Sequence, residues 1–241
     1  ANILQIIGLF GKVYQPVTTI ELIDAGIVCD IKIINIMLGY SDEFIEKVNP
    51  LPYQSEVKVL TQHESRTKFL CNLAFKLAKK EENVFMMFRY EDHGLSLYNY
   101  LKEHAEENGI DENEIYFING KIDTDIRKNI RNNTEVVKGS IIVASEKTFS
   151  EGISINNLHH AIICSPLKSQ VTVLQTVGRL LRKHESKECA YLWDVVDDIS
   201  IPGKDNKPNP SKFNYALKHG LKRINYYNME KFNRDTIKHK I

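Results

Sequence analysis

Five short, almost wholly apolar runs lie between Val84 and Trp193, and they constrain the fold more than any other feature of the sequence. They are VFMMF (84–88), IYFI (115–118), SIIVA (140–144), HAIIC (160–164) and AYLW (190–193). Such runs are typical of strands covered on both faces in a parallel sheet. Just before the first run, apolar residues repeat with helical spacing at Leu70, Leu73, Ala74 and Leu77. The sequence therefore predicts an α/β fold, a doubly wound and mostly parallel sheet with flanking helices.

The chain divides into three segments by pattern. Residues 1–55 are interpreted as a connecting segment that holds a first strand, IKIINIML (31–38), and a loop from Gly39 to Tyr53. Residues 56–200 hold the five apolar runs and form the main domain. Residues 201–241 begin with PGKDNKPNPS (202–211), whose composition is typical of a loop, and continue into a helix that Ser211 can cap.

Cysteine and histidine spacing excludes several kinds of site. The four cysteines stand far apart without a C-x-x-C pair, so neither a zinc site nor a disulfide framework is predicted. No metal site is expected from the histidines either. No apolar run approaches the roughly 18 to 20 residues that a membrane-spanning helix needs, and a cytoplasmic location is expected.

Charge is unevenly distributed along the chain. The whole sequence carries a formal net charge of +1, whereas Ser211–Ile241 holds eight Lys and Arg against Glu230 and Asp235, a balance of 8 − 2 = +6. A basic tail of this kind either contacts an anionic partner or forms a solvated terminal helix. Charge alone leaves both interpretations open.

The stretch from Gln170 to His184 is predicted to be an amphipathic helix with a cationic stripe. At about 100° per residue, its apolar residues share one face, while Gln175, Arg179 and Arg182 cluster on the other. Two guanidiniums one turn apart repel each other, so an anion with several oxygens is expected opposite them. In the alternative interpretation, both arginines pair with surface carboxylates.

The amino-acid sequence around these arginines resembles a known motif. QTVGRLLR (175–182) is similar to motif VI of superfamily 2 helicases, and IIVASEKTFSEGIS (141–154) resembles motif V of the same family. NVFMMFR (83–89) resembles motif IV and YFING (116–120) resembles motif IVa. The likeness extends from Asn2 to about Phe232, and QPVTT (15–19) and WDVVDD (193–198) are similar to the helicases of T-even-like bacteriophages.

The resemblance implies a RecA-like second motor domain that contributes to an ATP site shared with a first one. It makes Arg182 the arginine finger and Arg179 a second γ-phosphate contact, in roles that are interchangeable, with Gln175 beside them. Gly152 would let the chain pass close to the nucleotide. Ser154 stands where many relatives have an aspartate that contacts ribose, which weakens its assignment as a cofactor-binding residue.

Two parts of a complete motor are absent from the sequence. Neither the phosphate-binding pattern G-x-x-x-x-G-K-[ST] nor a D-E-x-H box occurs. The resemblance therefore implies that ATP and Mg²⁺ are bound mainly by a first motor domain, expected before Ala1. A chain with the finger and without that domain is expected to be inactive as an ATPase.

Nucleic acid is expected along the carboxyl ends of the strands, where ligands of open α/β sheets bind. Loop residues there can contact phosphates without reading sequence. The candidates are Arg89, Gly120, Lys121, Ser145, Lys147 and Thr148, joined by Lys218, Lys222 and Arg223 of the basic helix. Tyr226 and Tyr227 are possible stacking residues on that helix.

The function implied by the resemblance is ATP-driven remodelling of branched DNA, such as Holliday junctions, forks and R-loops, in phage recombination and replication. Expected partners are branched or single-stranded DNA, an RNA–DNA hybrid as a further option, and the first RecA-like domain. Two alternatives stay open at this stage: a double-strand translocase that does not separate strands, and a non-catalytic α/β domain that binds nucleic acid.

Overall fold

The computed structural model describes residues 7, 8, 11, 17–151, 155–204 and 208–241, and in them it contains one seven-stranded sheet. The strand order is β3-β4-β2-β5-β6-β1-β7, and every pairing is parallel. The strands are β1 (Asp30–Gly39), β2 (Val84–Phe88), β3 (Ile115–Ile118), β4 (Ile141–Ser145), β5 (His160–Ile163), β6 (Cys189–Asp198) and β7 (Asn233–Lys240). The predicted doubly wound parallel sheet is confirmed.

Helices cover both faces of this sheet. They are α1 (Thr19–Asp24), α2 (Asp42–Val48), α3 (Tyr53–Thr61), α4 (Glu64–Ala78), α5 (Glu91–Glu103), α6 (Thr124–Val136), α7 (Glu146–Glu151), α8 (Gln170–Leu180) and α9 (Tyr215–Met229). Among the described residues, none of the helices is both long and apolar enough to cross a membrane.

The core consists of two apolar layers, one on each face of the sheet. Met86 of β2 packs in one layer with Leu70 of α4 and Leu97 of α5. Phe85, the preceding residue of the same strand, packs in the other layer with Val173 of α8. Because neighbouring side chains of a strand point to opposite faces, a strand covered on both sides must be apolar throughout.

The segment predicted as connecting chain is part of the sheet. β1 pairs with β6 along its whole length, from Asp30 opposite Cys189 to Gly39 opposite Asp198, and it pairs with β7 on its other side. The strand prediction at 31–38 is confirmed. The predicted loop from Gly39 to Tyr53 is wrong, because α2 lies inside it, with the Ser41 hydroxyl accepting a hydrogen bond from the Phe44 amide.

The C-terminal segment also differs from its prediction. Helix α9 begins at Tyr215, after a 3₁₀ turn that contains Ser211, so Ser211 does not cap it. Instead, Glu56 of α3 accepts hydrogen bonds from the amides of Tyr215 (2.9 Å) and Ala216 (2.7 Å). A carboxylate at this end of a helix also complements the helix dipole. The edge strand β7 has no counterpart in the sequence prediction.

Two buried ion pairs fix helices to β6. Arg66 of α4 binds Asp197 at 2.7 Å, and Arg223 of α9 binds Asp194 at 2.6 Å, with all four side chains at most 1% exposed. Since buried charges are costly unless paired, each pair strongly specifies where its helix packs. Helix α9 also packs closely on β6 at Gly220, where a β-carbon would overlap the Val196 side chain.

Candidate functional site

Helix α8 carries Gln175 and Arg179 of the predicted cationic stripe. The Ser169 hydroxyl accepts a hydrogen bond from the Thr172 amide and begins the helix, while Val173, Val177 and Leu180 are buried. Gln175 is exposed and Arg179 is half-buried. The predicted core face and polar face are thus both present.

The helix is shorter than the sequence predicted. It ends at Leu180, with Leu181 as its C-cap, so Arg182 lies in the following turn rather than on the helical stripe. The chain turns here because other groups bind the last carbonyls. The Leu181 oxygen accepts a hydrogen bond from the Cys29 amide at 2.9 Å, and the Leu180 oxygen accepts one from the Lys187 ammonium at 2.8 Å.

Arg179 and Arg182 remain electrostatic neighbours despite that turn. Partial burial, together with the charge of Arg182, lowers the pKa of Arg179. The charge of Arg182 therefore disfavours the charge of Arg179. An anion placed beside both would remove this repulsion, and guanidinium geometry matches phosphate oxygens.

Lys187 is a buried residue that supports the end of α8, and the sequence analysis missed it. It is 5% exposed, and its ammonium donates to the carbonyls of Asn156 (3.0 Å), Leu158 (2.9 Å) and Leu180. Burial lowers the pKa of Lys187, an effect that Cys29 and Glu135 partly offset. Lys187 thereby ties the end of α8 to the chain that leads into β5. In the sequence it reads as one more charge in a polar stretch, so no signal could have identified it.

The residues of predicted motif V lie at the end of β4. Ser145 and Thr148 share a hydrogen bond between hydroxyls at 2.6 Å, and the Thr148 amide donates to the Ser145 oxygen. The Ser145 hydroxyl thereby caps the start of α7, and the buried Thr148 side chain bonds to it rather than facing solvent, which does not favour the predicted contact with DNA. Lys147 is exposed. Gly152 and Ser154, the predicted nucleotide contacts, lie outside the described residues.

The other predicted phosphate contacts follow the adjacent strands β2 and β3. Arg89 is exposed directly after β2. Gly120 and Lys121 follow β3, where the Gly120 carbonyl accepts a hydrogen bond from Arg127 at 2.9 Å. Lys121 is 80% exposed and pairs with Glu91 at 3.2 Å, a surface contact of roughly 0–1 kcal/mol that an anion could displace. Because β3, β4 and β2 are neighbours, these residues share one edge of the sheet.

The basic helix α9 has one face exposed to solvent and one face buried in the core. Lys218 and Lys222 are exposed, as a surface contact requires. The prediction that Arg223 contacts DNA is wrong, because its guanidinium is fully buried against Asp194. Tyr227 is also buried and donates to the same carboxylate at 2.9 Å, which excludes it as a stacking residue.

Among the described residues, no three His, Cys, Asp or Glu side chains are grouped as metal ligands.

Comparison with known proteins identifies the fold family. Residues 65–184 match the family described as "Helicase conserved C-terminal domain". The chain is also 42% identical, over 235 residues, to the ATP-dependent DNA helicase uvsW of Enterobacteria phage T4. That match covers 97% of this chain and 45% of the phage protein, so the chain spans less than half the length of this relative.

The chain therefore contains a match to the helicase conserved C-terminal domain family at residues 65–184.

Solved structures agree with this helicase fold. The crystal structure of T4 UvsW matches with a TM-score of 0.76 and 39% identity, covering 99% of this chain and 46% of that one. The type ISP restriction-modification enzyme LlaBIII, bound to DNA, matches with a TM-score of 0.63 and 17% identity, covering 96% of this chain and 17% of that one. The second likeness shows the fold alone. The sheet is thus a RecA-like helicase sheet, as the sequence predicted.

In this helicase C-terminal domain, the two groups of predicted residues lie at opposite edges of the sheet. Arg179 and Arg182 lie at the amino edge, because α8 ends beside Cys29, directly before β1. Arg89, Lys121 and Ser145 lie at or directly after the carboxyl ends of β2, β3 and β4. The domain therefore presents one cationic surface on each side.

Proposed function

We propose that this domain is the second motor domain of an ATP-dependent DNA helicase that remodels branched DNA, and that it supplies the arginine finger. The observation that carries the proposal is the placement of Arg179 near the end of α8 and of the exposed Arg182 just after it, both at the amino edge of the sheet. Two guanidiniums held in this way suit the charge that develops on a transferring phosphoryl group.

The residues present fit the triphosphate of ATP. Arg182, exposed in the turn after α8, would contact the γ-phosphate as the finger, and Arg179 would add a second contact. Gln175 lies on the exposed side of the same helix. Bound ATP would supply the energy of translocation. Mg²⁺ would be held mainly by a first RecA-like motor domain, as the resemblance to superfamily 2 helicases implies.

DNA would run along the carboxyl edge of the sheet. Arg89, Lys121 and Lys147 would contact phosphates there, with the Ser145 hydroxyl and the Gly120 turn beside them. Such contacts carry no sequence information, which suits a motor that moves over any sequence. Holliday junctions, forks and R-loops are the proposed substrates, and the host-cell cytoplasm is the proposed location.

The finger assignment is tested in a protein that joins this domain to a first motor domain. Arg182→Ala should lower ATP turnover by about three to five orders of magnitude, while ATP and DNA binding stay within a few fold. Lys183→Ala, at the exposed neighbouring residue, is the matched control and should keep its turnover. This domain on its own should release no phosphate above background.

The opposite result would be informative. If Arg182→Ala weakens ATP binding but leaves turnover at saturating ATP unchanged, the arginine is a positioning contact and the finger assignment is wrong. A strand-separation assay on forked DNA then distinguishes the helicase from a translocase that moves along duplex DNA without opening it.

A further inference from the structure

A cleft of about 400 Å³ opens between α3 and the start of α5, directly after the carboxyl end of β2. Its volume is within the roughly 300–1,000 Å³ typical of ligand pockets. Gln54, Lys58 and Gln62 line it from the side of α3, and Tyr90 and Asp92 line it from the other side. Asp92 is the one carboxylate in a lining that also carries two amides, a lysine, a tyrosine ring, two hydroxyls, a valine and a histidine.

The floor of the cleft carries an uncharged histidine. His93 is buried, and its Nε2 lies 3.5 Å from the Arg66 guanidinium while its Nδ1 lies 3.2 Å from the Ser165 hydroxyl. Burial and the charge of Arg66 lower the pKa of His93 to about 3. The floor is therefore neutral and fixed, which suits the flat, uncharged face of an aromatic ligand.

Exposed tyrosines continue from the cleft toward α9. Tyr90 is 40% exposed and Tyr215 is 42% exposed. Tyr53 lies between them, with its ring centroid 5.7 Å from that of Tyr215. Burial raises the pKa of Tyr53, and the nearby Tyr90 raises it further. We call Tyr53, Tyr90 and Tyr215 the tyrosine strip.

Cations accompany the two exposed rings of the tyrosine strip. The Arg89 guanidinium lies 6.0 Å from the Tyr90 ring centroid, and the Lys218 ammonium lies 5.5 Å from that of Tyr215. Aromatic rings alternating with cations are typical of surfaces that bind single strands, since the rings stack on bases and the cations contact phosphates. Stacking accepts every base, because each has an aromatic face.

We propose that the tyrosine strip and its cleft bind single-stranded nucleic acid, with Tyr90 stacking on a base that enters the cleft. The inference rests on the proposed function, and it extends the phosphate contacts at the carboxyl edge by a site that holds bases. Lys121 pairs with Glu91 at the start of α5, so the loop after β3 adjoins this site. A strand crossing Lys121 and Arg89 would then continue along the strip toward Lys218.

The test measures binding of this chain to a fluorescein-labelled oligothymidine of about 12 nucleotides by anisotropy. Tyr90→Ala should weaken binding by about 5-fold to 100-fold, the range expected for one lost base stack, whereas Tyr90→Phe should bind like the wild type. Tyr100→Ala is the matched control. Tyr100 lies on α5, the helix that Tyr90 precedes as N-cap, and its ring stacks on His104 with centroids 4.1 Å apart, so its removal should leave affinity unchanged.

A second probe separates base stacking from phosphate contact. An abasic oligonucleotide of the same length should bind the wild type about as weakly as oligothymidine binds Tyr90→Ala. If the wild type binds both probes equally, or if Tyr90→Ala binds oligothymidine like the wild type, the base site is excluded while the proposed DNA function stands. If the wild type binds neither single-stranded nor forked DNA, both proposals fail for this chain.

Discussion

Arginine residues of this domain take opposite roles, and the difference lies in what is buried beside them. Arg66 and Arg223 each face a carboxylate of β6 inside the core, whereas Arg182 is exposed at the end of α8. Helical spacing places Arg223 about 100° away from Lys222, so the sequence favours one or two DNA contacts from this helix rather than three. The sequence does not show that Arg223 is buried against Asp194. A carboxylate in a strand does not by itself indicate a buried ion pair.

Replacing Arg223 therefore tests its structural role. Arg223→Ala leaves the Asp194 carboxylate buried without its cation, and we expect the free energy of unfolding to fall by about 3–5 kcal/mol. Lys222→Ala, at the exposed neighbour, should change it by no more than about 0.5 kcal/mol. Urea unfolding followed by circular dichroism measures both. Equal, small effects would show that the Asp194 pair contributes little to stability.

Among the strands and helices, the sequence predicts the segments with apolar patterns and misses those that are mostly polar. The run at 84–88 matches β2 residue for residue because both of its faces are covered. β7 escaped prediction because it is an edge strand of largely exposed polar residues, paired with β1 alone among the described strands. The end of α8 escaped prediction for another reason: contacts with Cys29 and Lys187, far from the helical pattern, stop the helix at Leu180.

Of the contacts made by Cys29 and Lys187 at the end of α8, we expect those of Lys187 to contribute most to the free energy of unfolding. Lys187→Met keeps the length of the side chain but removes the ammonium donor from the carbonyls of Asn156, Leu158 and Leu180, and we expect a loss of about 1–3 kcal/mol in the free energy of unfolding. Lys183→Met removes an exposed charge four residues earlier and serves as the control. Thermal and urea unfolding give the comparison. A Lys187→Met protein as stable as the control would mean that the ammonium does not hold α8 to the chain before β5.

For the whole molecule, the sequence predicts two candidate surfaces but not the proposed third one. Motif spacing along the chain indicates the arginine pair and the loops after the strands, since both are local features. The tyrosine strip joins residues 53, 90 and 215, which come together only because α3 and α9 pack against each other at the carboxyl edge. The Glu56 carboxylate fixes that contact by binding the first amides of α9. Tertiary packing alone creates this surface.

The last prediction concerns the charge of that carboxyl edge. Neutralising Lys218 and Lys222 together as glutamines should weaken DNA binding for every sequence and reduce the slope of log affinity against log salt by up to about two units. Arg223 contributes nothing to this slope because it is buried. Lys80→Gln with Lys138→Gln, two exposed lysines near the amino ends of β2 and β4, is the charge-matched control. Titrations at several salt concentrations decide the point: if the two double variants share one slope, α9 only packs on the sheet, and DNA passes elsewhere.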